Sequence, residues 1–144
     1  MQPGDPAVTQ SDQPEPSGRP DEGDRILAIR TVAMPADTNP AGDIFGGWLM
    51  SQMDLAAGNI AALISGGRSA TVAVDGMQFL SPVKVGDEVS LYAEATKIGR
   101  TSMRIHVEAW RRVRHHEERV KVTDAHFTFV ALDDAGRPRA VRQP

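Results

Sequence analysis

Four residues within one short stretch have types and spacings that could do chemistry: Asp43, Gly46, Gly47 and Asp54. Asp54 is flanked by Met53 and Leu55 inside a run dominated by alanine, leucine and methionine. A carboxylate set among apolar side chains must be hydrogen-bonded or line a cavity. Held by hydroxyl or backbone donors, it is a structural group; lining a cavity, it can act as a base or a nucleophile. Gly46 and Gly47 stand at the entry of the same run. If the run is helical, its first N–H groups lack intrahelical partners and carry the positive end of the dipole. With no side chains at Gly46 and Gly47, a substrate carbonyl could approach those amides and be polarised by them. By rise alone Asp54 lies roughly 10 Å further along the axis, so a substrate must bridge the two or a second subunit must close the gap. Asp43, just ahead of the run, reads by itself as an ordinary helix cap.

The elements that must position these residues follow from the surrounding pattern. Asn39-Pro40-Ala41-Gly42-Asp43 reads as a loop, because Pro40 disfavours helical geometry at Asn39 and Gly42 punctuates the turn. Trp48 to Ile64 contains no proline and predicts a helix, with Ser51 and Gly58 one turn either side of Asp54 on its face. Its apolar residues cover most of the circumference, which predicts a buried helix. Gly66-Gly67-Arg68 ends it. Strands are expected at Arg25 to Met34, Ala70 to Leu80, Val89 to Lys97, Thr101 to Arg112 and Arg119 to Leu132. Val89, Leu91, Ala93 and Ala95 alternate with Ser90, Tyr92, Glu94 and Thr96, the signature of a half-buried antiparallel strand. One antiparallel sheet wrapped around one central helix, an α+β fold, satisfies both patterns.

Composition bounds the rest. A chain of 144 residues is expected to hold one domain, over residues 25–144. Residues 1–24 carry half of the prolines and almost nothing apolar, and read as a disordered, dispensable tail. A net charge of −3 offers no basic field for nucleic acid. The absence of cysteine excludes disulfides, thiolate nucleophiles and cysteine-ligated zinc, and accords with a cytoplasmic location. No membrane span and no secretory signal is expected, since Ser51, Gln52, Asp54 and Asn59 interrupt the longest apolar run. His115 and His116 adjoin Glu117 and Glu118 in a charged connection, but adjacent residues rarely converge on one ion, and no metal site is expected. There is no G-x-S-x-G elbow and no glycine-rich phosphate loop. Lys97-Ile98-Gly99-Arg100-Thr101-Ser102 forms a basic hairpin, either a solvated turn or, through two cations and two hydroxyls, a phosphate contact. Arg68, Arg111, Arg112 and Arg114 are weaker candidates of the same kind.

The run G-D-I-F-G-G-W-L-M-S-Q-M-D resembles the signature of the hotdog-fold acyl-CoA thioesterases of the bacterial YciA type. A-M-P-A-D-T-N before it, and V-A-V-D-G-M-Q-F-L-S-P-V-K-V-G-D and K-I-G-R-T-S after it, extend the likeness over about residues 25 to 140. The resemblance implies hydrolysis of fatty acyl-CoA to free acid and coenzyme A, with no metal or redox cofactor. It places the catalytic acid at Asp54 and the carbonyl-polarising amide at Gly46, with a polar residue at the Asp43 position meeting the acid across a subunit interface. It assigns Lys97, Gly99, Arg100, Thr101 and Ser102 to the nucleotide and pantetheine end of coenzyme A. It further implies a homo-oligomer, minimally a dimer and expected to be a hexamer built as a trimer of dimers. A hotdog hydratase would need a histidine near the helix entry, and none is present. A non-catalytic acyl-CoA-binding hotdog protein is the alternative; it could dispense with the acid, so Asp54 argues for chemistry.

Overall fold

The computed structural model describes residues 25–141, so the expected tail lies outside the described residues. Strand β1 (Ile26–Val32) leads through a short 3-10 turn (Pro35–Asp37) and a loop into helix α1 (Gly46–Ser65). Strands β2 (Ser69–Asp75), β3 (Glu88–Ile98), β4 (Ser102–Arg112) and β5 (Arg119–Ala131) follow. They form one sheet in the order β1-β3-β4-β5-β2, with every neighbouring pair antiparallel. The helix lies against one face of that sheet, the expected hotdog arrangement.

The core is where the helical and strand periodicities meet. Leu49, Met53, Ala56, Ala57, Ile60 and Ala61 form the buried stripe of α1. They face Val89, Leu91 and Ala93 of β3, Met103, Ile105 and Val107 of β4, and Phe127 and Phe129 of β5. Phe127 is 1% exposed, and burial of such a side chain stabilises by about 1.5–3 kcal/mol. Gly66 ends the helix in the left-handed conformation, φ 71°, with its N–H donating to the Ala62 carbonyl. The Arg139 guanidinium then donates to the Ser65 carbonyl at 3.0 Å, placing a cation at the negative end of the dipole.

Several expectations needed correction. The helix starts at Gly46, two residues before Trp48, so both glycines lie in its first turn rather than ahead of it. It is also not buried all round: Leu55 is 60% and Leu63 75% exposed in the single chain. The strand expected over Ala70 to Leu80 stops at Asp75, because Gly76 takes φ 79° and turns the chain out of the ladder. Residues 76–80 then run without strand pairing until the Leu80 N–H donates to the Val122 carbonyl at 2.7 Å. On β3 the expected polar face is buried too, Ser90 at 1% and Tyr92 at 3%. Arg30 causes this: it lies over both, donating to Ser90 Oγ at 2.8 Å and to the Tyr92 hydroxyl at 3.3 Å.

The outer face of the sheet is an ionic layer with a testable pH signature. Glu88 accepts from Arg112 and Arg119, each at 3.3 Å, with Arg30 at 3.6 Å. The Arg112 hydrogen bond in particular holds the Glu88 carboxyl below its ordinary range, against the opposing effect of burial. The His106 hydrogen bond to Asp124, at 2.7 Å, does the same for Asp124. His126, its ring 4.7 Å from that of His106, is pushed down chiefly by burial, then by His106 and Arg104. An unfolded chain therefore takes up protons at higher pH than the native one at all three groups, and stability falls on acidification. Tm should begin to drop below about pH 6.5 as unfolded His126 protonates, and drop again below about pH 4.3 with the carboxylates. His126→Gln should abolish the first decline and keep the second; a profile flat from neutrality to pH 4 in the unmutated protein would contradict this.

Candidate active site

The loop before α1 is a compact hydrogen-bonded structure that delivers the helix start. Asn39 Oδ1 accepts from the N–H groups of Ala41 at 2.9 Å and Asp43 at 3.1 Å, and the Asn39 N–H donates to the Asp43 carbonyl at 2.7 Å. Ile44 N–H donates to the Val83 carbonyl and Phe45 N–H to the Asp37 carbonyl, which fixes the entry angle. Phe45 occupies the cap position and makes no side-chain cap bond. Among the described residues the amides of Gly46, Gly47 and Trp48 have no acceptor, so the dipole's positive end is open.

Asp43 is not the helix cap. Its carboxylate pairs with Lys84 across the loop. Asp54 is held differently: Thr71 Oγ1, on the neighbouring β2, donates to Asp54 Oδ1 at 2.5 Å. Ser51, on the same helical face, turns back to the Trp48 carbonyl at 2.7 Å and leaves Asp54 alone. One oxygen of the carboxylate is thus anchored, and the group is half-buried rather than enclosed. Thr71 carried no mark in the sequence beyond its place in a strand. Its role appears only because β2 packs beside α1 with Thr71 opposite the inward Phe129.

The start of α1 and its Asp54 turn face different surroundings. A cleft of about 390 Å³ opens at the helix start, lined by Asn39, Asp43, Phe45, Gly46, Leu49 and Phe79 together with the 80–83 segment and Val122. Asp54, two turns on, does not line it. Of the predicted residues one protomer therefore brings Asp43 and Gly46 to the cleft; Gly47 does not line it, and Asp54 with Thr71 lies two turns further along the helix. The basic hairpin lies on the Asp54 side: Ser102 pairs with Val130 and Met103 with Phe129, the residue that Thr71 also faces. Gly99 N–H donates to the Ser102 carbonyl at 2.8 Å, closing the turn. The next residue, Arg100, accepts at its carbonyl from the Val141 N–H, which ties the turn to the C-terminal segment. Lys97 and Arg100 are exposed, and among the described residues neither is paired with a carboxylate. Arg111 and Arg112 are committed to Asp87 and Glu88 instead, and among the described residues Arg68 reaches only the Asp133 carbonyl, at 3.4 Å. Among the described residues no three histidine or carboxylate side chains gather as a metal site.

The family model described as the thioesterase superfamily matches residues 41–117, which span the helix, β2, β3 and β4. The acyl-CoA thioester hydrolase YciA of Escherichia coli K12 is 52% identical over 118 residues, covering 80% of this chain and 89% of that one. The chain belongs to the YciA-type thioesterases. A second relative of this thioesterase, described as an uncharacterized acyl-CoA thioester hydrolase of Zymomonas mobilis, is 53% identical over 134 residues, 91% of this chain and 85% of that one. The hexameric thioesterase y2039 from Yersinia pestis superposes with a TM-score of 0.79 at 52% identity, covering 83% of this thioesterase and 97% of that chain.

Proposed function

We propose that this thioesterase hydrolyses acyl-CoA to free acid and coenzyme A at a site shared between two copies of the chain. The observation that carries the reading is the split of the machinery. The open amides of Gly46 and Gly47 lie at the start of α1, and the anchored carboxylate of Asp54 lies two turns further along it, beside an edge strand. In the reaction the amides donate to the thioester oxygen as negative charge develops on it. Asp54 either takes a proton from the attacking water or attacks the carbonyl itself, giving an anhydride that water then opens. In both routes the C–S bond breaks, the sulfur leaves as coenzyme A thiolate and takes up a proton, and the acyl carbon ends as the free acid.

The second copy is supported by surface that one chain leaves open. Strand β2 is an edge, its outer N–H and C=O groups unpaired among the described residues, and Val72 and Leu55 beside it are 58% and 60% exposed. Pairing β2 with a second β2 about a two-fold axis continues the sheet and covers that surface. The hexamer in which the Yersinia pestis relative is found supports a trimer of such dimers. Residues 25–144 form the thioesterase domain on this reading, and residues 1–24 a tail dispensable for turnover. Among the described residues no helix is long and apolar enough to cross a membrane. A cytoplasmic location goes with a chain that has no cysteine to oxidise.

The hairpin supplies the phosphate contacts. Replacing Lys97 and Arg100 together by Ala should raise KM for acyl-CoA about tenfold with little change in kcat, as expected when ground-state and transition-state contacts are lost alike. Acyl-pantetheine, which has no nucleotide, should be indifferent to the substitutions. An equal effect on both substrates would contradict the assignment. The activity itself is tested by thiol release from a panel of acyl-CoA esters, and no release on any of them would overturn the proposed function.

A further inference from the structure

Phe79 stands where the proposed chemistry would happen, and nothing in its sequence context marks it. It lies in the irregular segment that leaves β2 at Gly76, and it is 50% exposed although aromatic. Its ring packs over the first residue of α1: a Cβ built on Gly46 would meet Phe79 Cζ at 3.3 Å. That ring and Leu49 belong to the apolar lining of the cleft, and Asn39 and Asp43 to its polar part. The segment is pinned just beyond the ring, by the Leu80 N–H to the Val122 carbonyl at 2.7 Å and by Gln78, whose carbonyl accepts from Thr123 Oγ1 at 2.6 Å. The backbone either side of Phe79 is therefore fixed, and the ring has a defined station against the helix start.

We propose that Phe79 is a specificity-determining residue that selects acyl groups by their bulk at the carbon next to the thioester carbonyl. The inference rests on the proposed acyl-CoA hydrolysis, with the carbonyl at the Gly46 amide. A carbonyl oxygen seated there brings its α-carbon to within a few ångströms of the ring, by the same proximity that leaves almost no room for a Cβ on Gly46. A linear chain presents an unbranched CH₂ at that point and can run along the apolar cleft. A methyl branch at the α-carbon, or an aryl ring bonded directly to the carbonyl, must displace Phe79 from its packing. Overpacking of that kind costs about 1–3 kcal/mol, which is discrimination of about tenfold to 200-fold.

The test uses the full chain and compares butyryl-CoA with isobutyryl-CoA and benzoyl-CoA by thiol release, for the unmutated enzyme, Phe79→Leu and Phe79→Ala. The unmutated enzyme should prefer butyryl-CoA over both bulky esters by at least about tenfold in kcat/KM. The bulky-to-linear ratio of kcat/KM should then rise by about tenfold in Phe79→Ala and by a smaller factor in Phe79→Leu. Phe79→Leu keeps an apolar contact on Gly46, so it decides the matter if the alanine variant does not fold. A ratio that stays within about twofold of the unmutated value in the folded variants would overturn the inference, whether or not overall activity falls, because a purely structural ring lowers all substrates alike. An unmutated enzyme without the linear preference would overturn it equally. Failure of the unmutated enzyme to release thiol from any ester would instead sink the proposed function beneath it.

Discussion

Asp54→Asn should lower kcat by at least about 10²-fold, the lower end for losing a general base, while the oligomer and its binding of a non-hydrolysable acyl-CoA analogue should survive. Asparagine keeps the shape of the side chain, and its Oδ1 can still accept from Thr71 Oγ1, which now stands 2.5 Å from the carboxylate. What it lacks is the second, unanchored oxygen that can take a proton or attack a carbonyl. A structural carboxylate behaves otherwise: the Asn variant would melt at lower temperature, yet its folded fraction would turn over normally. Asp43→Asn is the matched comparison. Asp43 pairs with Lys84 at the surface of the loop, and an exposed ion pair contributes about 0–1 kcal/mol. Its kcat should therefore stay within a few-fold of the unmutated value, about the range that loss of such a pair allows. A collapse in Asp43→Asn with normal turnover in Asp54→Asn would move the catalytic acid to the loop.

On the proposed pairing of β2 with β2, Val72→Asp should separate the copies and abolish activity with them. Val72 lies on the edge strand next to Thr71 and is 58% exposed in one chain. If a second β2 covers it, the substitution buries an unpaired carboxylate, at a cost of about 3–5 kcal/mol. That weakens association by at least about 10²-fold, enough to populate single protomers at micromolar concentration. Since one protomer holds the amides and the carboxylate apart, thiol release per chain should fall in step with the loss of assembly, by at least about 10²-fold under dissociating conditions. Far-UV circular dichroism should stay native, because an exposed substitution on an isolated strand changes stability by only about 0.5–1 kcal/mol. Scattering mass and activity read together decide it. A Val72→Asp protein of unchanged mass and turnover would show that this edge faces solvent.

How far the sequence carries is clear from particular residues. The fold was legible because periodicities of 3.6 and 2 are local: Leu49, Met53 and Ile60 mark the helix stripe, and Met103, Ile105 and Val107 the inner face of β4. Gly46, Gly47 and Asp54 were legible as candidates because glycines at a helix start and an acid in an apolar run are each locally anomalous. Thr71 and Phe79 were not. A threonine in a strand and a phenylalanine in an apolar segment break no local rule, and only tertiary packing puts one on Asp54 and the other on Gly46. The end of β2 was misplaced for a related reason: Val74, Met77 and Leu80 continue an apolar run through Gly76, whose backbone ends the pairing. The helix reads as fully buried because apolar residues cover most of its circumference, whereas the sheet of a single chain covers only one face and leaves Leu55 and Leu63 exposed.

Co-assembly of two inactive variants tests the shared site most directly. Asp54→Asn removes the carboxylate, and Gly46→Leu places a side chain over the amides two turns earlier on the helix, where a Cβ would already meet the Phe79 ring at 3.3 Å. Each alone should release thiol at less than about 1% of the unmutated rate. Refolded together and assembled at random, half of the dimers are mixed, and each mixed dimer contains one site in which both contributions are intact. The mixture should then recover roughly a quarter of the unmutated activity per chain. Recovery no greater than the sum of the separate variants, in a preparation whose mixed oligomers are verified by mass, would show that Asp54 and the helix-start amides act within one chain or do not act together.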